Sequence, residues 1–184
     1  MKRCDWCEGN DLQQDYHDKE WGVPVHEDHI HFEFLLLESM QSGLSWQTIL
    51  MKRENFRTAF DQFDYNLIAQ YDELKIVELL KNEGIIRYRK KIESVINNAT
   101  AFIAIQEEYG RFNEYIWQFT NKKIVVNHYK TGEEIPSKTV LSDFISLDLK
   151  KKGFKFLGSI TVYAYLQAVG IIDDHLDCCF KKGQ

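Results

Sequence analysis

The stretch from Glu38 to Trp46, Glu-Ser-Met-Gln-Ser-Gly-Leu-Ser-Trp, holds a carboxylate, an apolar tip at Leu44 and an indole. Such a set can make a pocket for a small molecule or a planar base. The acid accepts hydrogen bonds and the ring supplies a face. Phe34, Leu35, Leu37 and Met40 recur at helical spacing, which puts Glu38 near the end of a helix. Gly43 suits a helix C′ position or a turn that needs positive φ, and Ser45 suits the N-cap of the following helix. The turn then projects Leu44 between two helices. The same pattern also fits a plain helix–turn–helix of the core, with Trp46 packed and Glu38 solvated.

A second set lies at the two ends of the chain. Cys4 and Cys7 stand near the start, Cys178 and Cys179 near the end, with His17 and His175 close to each pair. In a reducing cytosol disulfides are disfavoured, which leaves metal ligation or inert thiols. His175 and Cys179 are spaced to share one face of a helical turn. Zinc takes four thiolate or imidazole ligands in a closed tetrahedron. Two ligand sets compete: the four cysteines, or Cys4, His17, His175 and Cys179. Vicinal cysteines rarely both reach one tetrahedral ion, which favours the mixed set.

A third stretch, 149–170, joins a basic helix end at Lys150-Lys151-Lys152 to a turn holding Gly153 and Gly158. A helix then starts at Ser159. Its first N–H groups have no partners within the helix and favour an anion such as a phosphate. The glycines allow a DNA backbone to approach closely. This is the logic of a helix–hairpin–helix; a plain αα-turn is the alternative.

The elements that must position these residues are nearly all helices. Residues 1–24 read as an irregular arm rich in Trp, Tyr and Cys. Helices are expected at 28–41, 45–60, 64–68, 72–82, 87–108, 113–119, 142–152 and 159–169. Leu74, Val77, Leu79 and Leu80 are the apolar positions of the 72–82 helix. Ile92, Val95, Ile96, Ala99, Phe102 and Ile103 mark the buried face of the longest. Residues 121–139 are the least regular, with Val125-Val126 as a short extended piece. A chain of 184 residues without repeats or linkers fits one domain, 1–184. No run of about 20 apolar residues is present, and no apolar signal segment opens the chain, so a cytoplasmic protein without a membrane span is expected. A net charge of −5 argues mildly against a dominant nucleic-acid role, but a local patch matters more than the total. Two patches exist, at 87–91 and 150–155; each also reads as a solvated helix end.

Several of these stretches, spread in order over nearly the whole chain, match one family. They are Tyr16-His-Asp-Lys-Glu-Trp-Gly-Val-Pro24, Glu38 to Trp46, Lys52-Arg-Glu-Asn-Phe56, Gly84-Ile-Ile-Arg87, Lys152-Gly-Phe-Lys-Phe-Leu-Gly158, and Asp174-His175 with Cys179. On these the sequence closely resembles the DNA-3-methyladenine glycosylase I family of the helix–hairpin–helix glycosylase superfamily. The resemblance implies an all-α fold whose terminal segments, 1–24 and 171–184, are joined by one structural zinc on Cys4, His17, His175 and Cys179. It implies excision of 3-methyladenine from alkylated double-stranded DNA, by a likeness to enzymes that extrude the base. Trp46 would then stack on that base, Glu38 accept from its polar edge, Tyr16 offer a phenol, and Trp6 and Trp21 wall the pocket. Gln41, Gly43 and Leu44 would enter the gap in the duplex, and Gly153, Lys155 and Gly158 would hold the backbone. A monomer is expected.

The sequence departs from that pattern in places. Gln13 stands where family members can carry tyrosine, and Cys178 adjoins the expected ligand Cys179. Many superfamily relatives use an aspartate after the hairpin, and Asp173 and Asp174 lie about there. The resemblance to the 3-methyladenine branch implies that no such catalytic aspartate is used, which leaves Asp174 as a minor contributor or as an acceptor orienting His175. Bifunctional relatives carry a nucleophilic lysine where this chain has Ile160, so no strand cleavage is expected. Two other classes remain: a zinc-stapled DNA-binding module with no need of Glu38, and a zinc hydrolase, which needs an open coordination position.

Overall fold

The computed structural model describes residues 2–183. Its helices are α1 (Asp11–Lys19), α2 (Asp28–Gln41), α3 (Trp46–Ala59), α4 (Tyr65–Ile68), α5 (Glu73–Lys81), α6 (Arg89–Tyr109), α7 (Phe112–Trp117), α8 (Val140–Lys151) and α9 (Ser159–Ala168). Two short strands, β1 (Val125–Val126) and β2 (Ile172–Asp173), and four single-turn 3-10 helices accompany them among the described residues.

A helix that is apolar on every face has to be buried on every face. In α2 every residue from His31 to Met40 is buried, and α3, α6, α7 and α9 pack around it. A polar group buried on α2 is costly unless it finds a partner. The Glu33 carboxylate accepts from Arg53 at 2.7 Å and Arg57 at 2.9 Å. His31 Nδ1 bonds the Tyr165 hydroxyl at 2.7 Å. Glu38, one turn before the end, keeps one oxygen unpaired among the described residues.

The N-terminal arm is not irregular throughout: it contains helix α1. Asn10 caps α1 by accepting from the Gln13 amide at 2.9 Å. Periodicity did not reveal it, because α1 has few apolar residues; only Tyr16 and His17 are buried. Thr139 and Ser142 form a reciprocal capping box, which starts α8 earlier than the apolar pattern suggested. In α5 the buried positions are Ile76 and Leu79, whereas Leu74 and Val77 face solvent. Ile96 and Ile103 lie at the half-buried edge of α6 and not on its core face.

Strands β1 and β2 pair in parallel, Val125 opposite Ile172 and Val126 opposite Asp173. This pairing anchors the irregular stretch 121–139 beside the segment that carries His175. Two asparagines of α6 support the hairpin: Asn98 accepts from the Lys155 amide at 2.8 Å and donates to the Lys155 carbonyl at 2.9 Å. Asn97 donates to the Gly153 carbonyl at 2.6 Å. The 87–91 patch is not simply a solvated helix end, since Lys91 is buried and donates to the Met40 and Ser42 carbonyls. Lys152 is likewise engaged, with Glu108 at 2.8 Å and over the Tyr109 ring.

Candidate active site

Helix α2 ends in a type II turn. Ser42 has φ −46° and ψ 115°, Gly43 has φ +81°, and the Leu44 amide donates to the Gln41 carbonyl at 2.6 Å. Only glycine takes the positive φ of the third position without strain. Ser45 then caps α3 by accepting from the Thr48 amide at 3.2 Å. This geometry sets Glu38 on one side of the turn, Trp46 on the other and Leu44, partly exposed, at the tip.

Two cavities meet at Glu38. The first, about 420 Å³, is walled by Trp6, Tyr16, Trp21 and Trp46, with Gln13 and Gln167 among its polar lining. The Tyr16 and Trp46 rings lie 5.4 Å apart, and those of Trp6 and Trp21 5.2 Å apart in a T shape. The second, about 580 Å³, is an open groove between the Gln41–Leu44 turn and the hairpin residues Phe156, Gly158 and Ile160. Glu38, Gln41 and Ala164 line both. Gly153 and Gly158 have open space where a side chain would stand. Lys155 is exposed on the hairpin.

The chemistry of the aromatic cavity follows from what burial leaves unmatched. Glu38 Oε2 and Trp46 Nε1 are both buried, and neither has a hydrogen-bond partner among the described residues. Burial pushes the Glu38 carboxyl up to about 8. It also raises the Tyr16 phenol well above its ordinary value, with the nearby Glu38 charge adding to the effect. An acceptor, a donor and four aromatic faces in a space of this size suit a flat heterocycle with a donor on its edge. The residues Gly132, Ile135, Ala164 and Gln167 also line the cavity and were not anticipated. They come from the irregular stretch and from α9, and no local pattern marks them.

Behind the aromatic wall lies the cysteine–histidine cluster. The Cys4, His17 and Cys179 ligand atoms all lie within 4.8 Å of one another, and all three residues are buried. His175 stands beside them, its ring 5.2 Å from that of His17, and its Nε2 is buried without a partner among the described residues. His17 Nδ1 bonds Asp18 at 2.9 Å, and His175 Nδ1 bonds Asp173 at 2.9 Å. A carboxylate on Nδ1 leaves Nε2 as the free electron pair, which is how metal-binding histidines are commonly held. Asp18 is in turn held by Arg3, which keeps its carboxyl down at about 2. The Leu176 and Lys181 amides point at the Cys4 and Cys179 sulfurs, at 3.4 Å and 3.5 Å. Three donors converge, with His175 adjoining them, and thiolate and imidazole donors of this kind suit a cation such as zinc. The all-cysteine set does not fit: Cys178 is exposed, and Cys7 donates to the Cys4 carbonyl.

Asp174 does not orient His175; Asp173 does. Asp174 accepts instead from Asn127 at 2.8 Å, from Gln167 at 2.6 Å and from the Tyr163 hydroxyl. The parallel β-pair brings Asn127 to it, which sequence spacing did not disclose. Cluster and cavity share a wall. Trp6 lies 5.6 Å from the His17 ring and Trp21 4.5 Å from that of His175. At Gly22 a β-carbon would lie 2.4 Å from His175 Cε1, so glycine lets the chain pass over the imidazole.

Comparison with known proteins agrees with this geometry over the full chain. The Methyladenine glycosylase family model matches residues 6–182. DNA-3-methyladenine glycosylase of Haemophilus influenzae is 44% identical over 177 residues, 96% of each chain. DNA-3-methyladenine glycosylase 1 of Escherichia coli K12 is 42% identical over 184 residues, covering all of this chain and 98% of that one. The solved structure of 3-methyladenine DNA glycosylase I from Staphylococcus aureus, described as the structural basis of 3-methyladenine recognition, superposes with a TM-score of 0.96 at 35% identity; the match covers 100% of this chain and 98% of that one. With residues 6–182 matched and the fold shared end to end, this chain belongs to the methyladenine glycosylase family.

Proposed function

We propose that this protein is a base-excision repair enzyme that extrudes 3-methyladenine from alkylated double-stranded DNA and hydrolyses its N-glycosidic bond. The observation that carries the reading is the unmatched buried oxygen of Glu38, Oε2, in an aromatic cavity open to a groove. Methylation at N3 leaves the adenine cationic while it is attached to the sugar. When the C1′–N9 bond breaks, its electron pair goes to the base, which departs neutral. The sugar is left as an oxocarbenium-like cation, which water captures with loss of a proton. Such a leaving group needs little acid catalysis, so the protein acts chiefly by extruding, recognising and shielding.

Glu38 accepts from the exocyclic amine of the base. Guanine presents an acceptor there and would leave a buried carboxylate unpaired, at a cost of about 1–3 kcal/mol. Trp46 stacks on the ring for roughly 1–3 kcal/mol. Tyr16 offers its phenol to a ring nitrogen, and Trp6 and Trp21 close the cavity. Leu44 wedges into the gap in the duplex, with Gln41 and Gly43 alongside. Gly153, Lys155, Gly158 and the first turn of α9 take the phosphate backbone. Asp174 has no part in the chemistry, because its oxygens already serve Asn127, Gln167 and Tyr163.

Cys4, His17, His175 and Cys179 would hold one zinc ion, which fastens the two ends of the chain and does no chemistry. The enzyme works as a monomer, in the cytoplasm, and leaves the strand intact. Among the described residues no helix is long and apolar enough to cross a membrane. The deciding experiment is incubation with methylated DNA and chromatography of the released bases. Release of 3-methyladenine by the parent protein is expected; release of no base would overturn the proposal.

A further inference from the structure

Lys91 is a cation on α6 with 5% of its surface exposed. Its ammonium makes no ion pair among the described residues. Instead it donates to two backbone carbonyls, Met40 at 2.8 Å and Ser42 at 3.0 Å. These belong to the last turn of α2 and to the second residue of the turn that carries Leu44. The last carbonyls of a helix have no intrahelical partners, and the helix end is a region of negative potential. A buried ammonium satisfies both needs at once. An ordinary C-cap would do so with a solvated side chain; burying a lysine for it is expensive.

The position explains why the expense is tolerated. The Gln41–Leu44 turn is held to the body by little else. Leu44 is partly exposed, Gly43 has open space around it, and the one internal bond is from the Leu44 amide to the Gln41 carbonyl. A turn that must push into a base stack needs a fixed backbone, because a floppy one yields. Lys91 grips it from the side away from the groove: it lines neither cavity. It therefore works on the backbone of the turn and not on the base.

Resting on the proposed function of the turn, we propose that Lys91 is a positioning residue for duplex entry: it locks the Gln41–Leu44 backbone so that Leu44 acts as a rigid wedge. The test uses Lys91→Met, which keeps the aliphatic stem and loses the donors. It compares affinity for a duplex containing a stable abasic-site analogue, for the same intact duplex and for free 3-methyladenine, in the full-length protein. Lys91→Met should lose about tenfold or more in affinity for the abasic duplex, the scale of a lost charged hydrogen bond, with intact-duplex and free-base affinity nearly unchanged. In a Leu44→Ala background the same substitution should cost almost nothing further, since the wedge it supports is gone. Equal losses with and without Leu44, or a parallel loss of free-base affinity that marks a merely structural role, would overturn the inference. So would an unchanged abasic affinity. A parent protein that does not prefer the abasic duplex would instead sink the wedge reading of the turn, and the inference with it.

Discussion

Glu38 is 4% exposed and titrates near 8 because water has been removed from around it. In the unfolded chain the same carboxyl titrates near its ordinary 4.5. Between those values the folded state holds the proton and the unfolded state does not. Glu38 therefore lowers stability progressively as pH rises from 4.5 to about 8, and no further above that. Glu38→Gln removes this dependence. Thermal melting across that window should show the variant gaining on the parent as pH rises, with the two converging at the acid end; parallel curves would contradict the assignment. A ligand donor on the carboxylate has the opposite effect and favours the ionised form. Free 3-methyladenine should accordingly bind the parent more tightly as pH rises towards 8. Glu38→Ala should bind it more weakly by about 1–3 kcal/mol in a calorimetric titration. Glu38→Gln should excise only modestly more slowly in single turnover. A glutamine variant several orders of magnitude slower, with normal base affinity, would move Glu38 to the bond-breaking step.

At the scale of elements, α2 and α9 divide the work. Helix α2 is apolar all round, so its polar exceptions are conspicuous, and Glu38 is the one that faces the cavity with a free oxygen. Helix α9 starts at Ser159 behind Gly158, and Ile160 in its first turn lines the groove. An isoleucine there offers no amine to the sugar C1′, so no Schiff base can form through it. Treating the enzyme–substrate mixture with borohydride should trap no covalent protein–DNA adduct; a trapped adduct would show a lyase step through some other amine. Some elements were legible and others were not. The apolar run of α2 and the Ser45 cap of α3 gave themselves away by spacing. Helix α1 did not: Asn10 starts it, yet its surface is polar apart from Leu12 and Tyr16, and Leu12 is exposed. Strand β2 is too short to show a period.

At the scale of the molecule, the two terminal segments of the chain meet behind the aromatic cavity. Cys4 and His17 come from one end and His175 and Cys179 from the other, and Trp6 and Trp21 stand between this cluster and the cavity. Structural zinc is worth on the order of 10 kcal/mol to the folding of a small unit. His17→Ala should therefore lose the metal, melt at lower temperature and bind free base more weakly, because the indole wall loses its backing. Cys7→Ser should keep the metal, since Cys7 only bonds a carbonyl. Metal content measured on both variants decides it; zinc lost from Cys7→Ser but kept in His17→Ala would refute the ligand set.

The sequence by itself determined the helical class, the positive-φ turn at Gly43, the stretches shared with the family, and the residue types that could bind a base or a metal. Those are consequences of local spacing and composition, which one chain displays directly. Only the tertiary structure decided which of Asp173 and Asp174 holds His175, which of Cys178 and Cys179 is buried, and that Lys91 points inward. Neighbouring residues on a strand or turn face opposite ways, and a shift of one position exchanges them. The unpaired oxygen of Glu38 is a tertiary fact too. A carboxylate at a helix end is ordinary until the packed helices and an aromatic arm exclude the water around it and supply no donor.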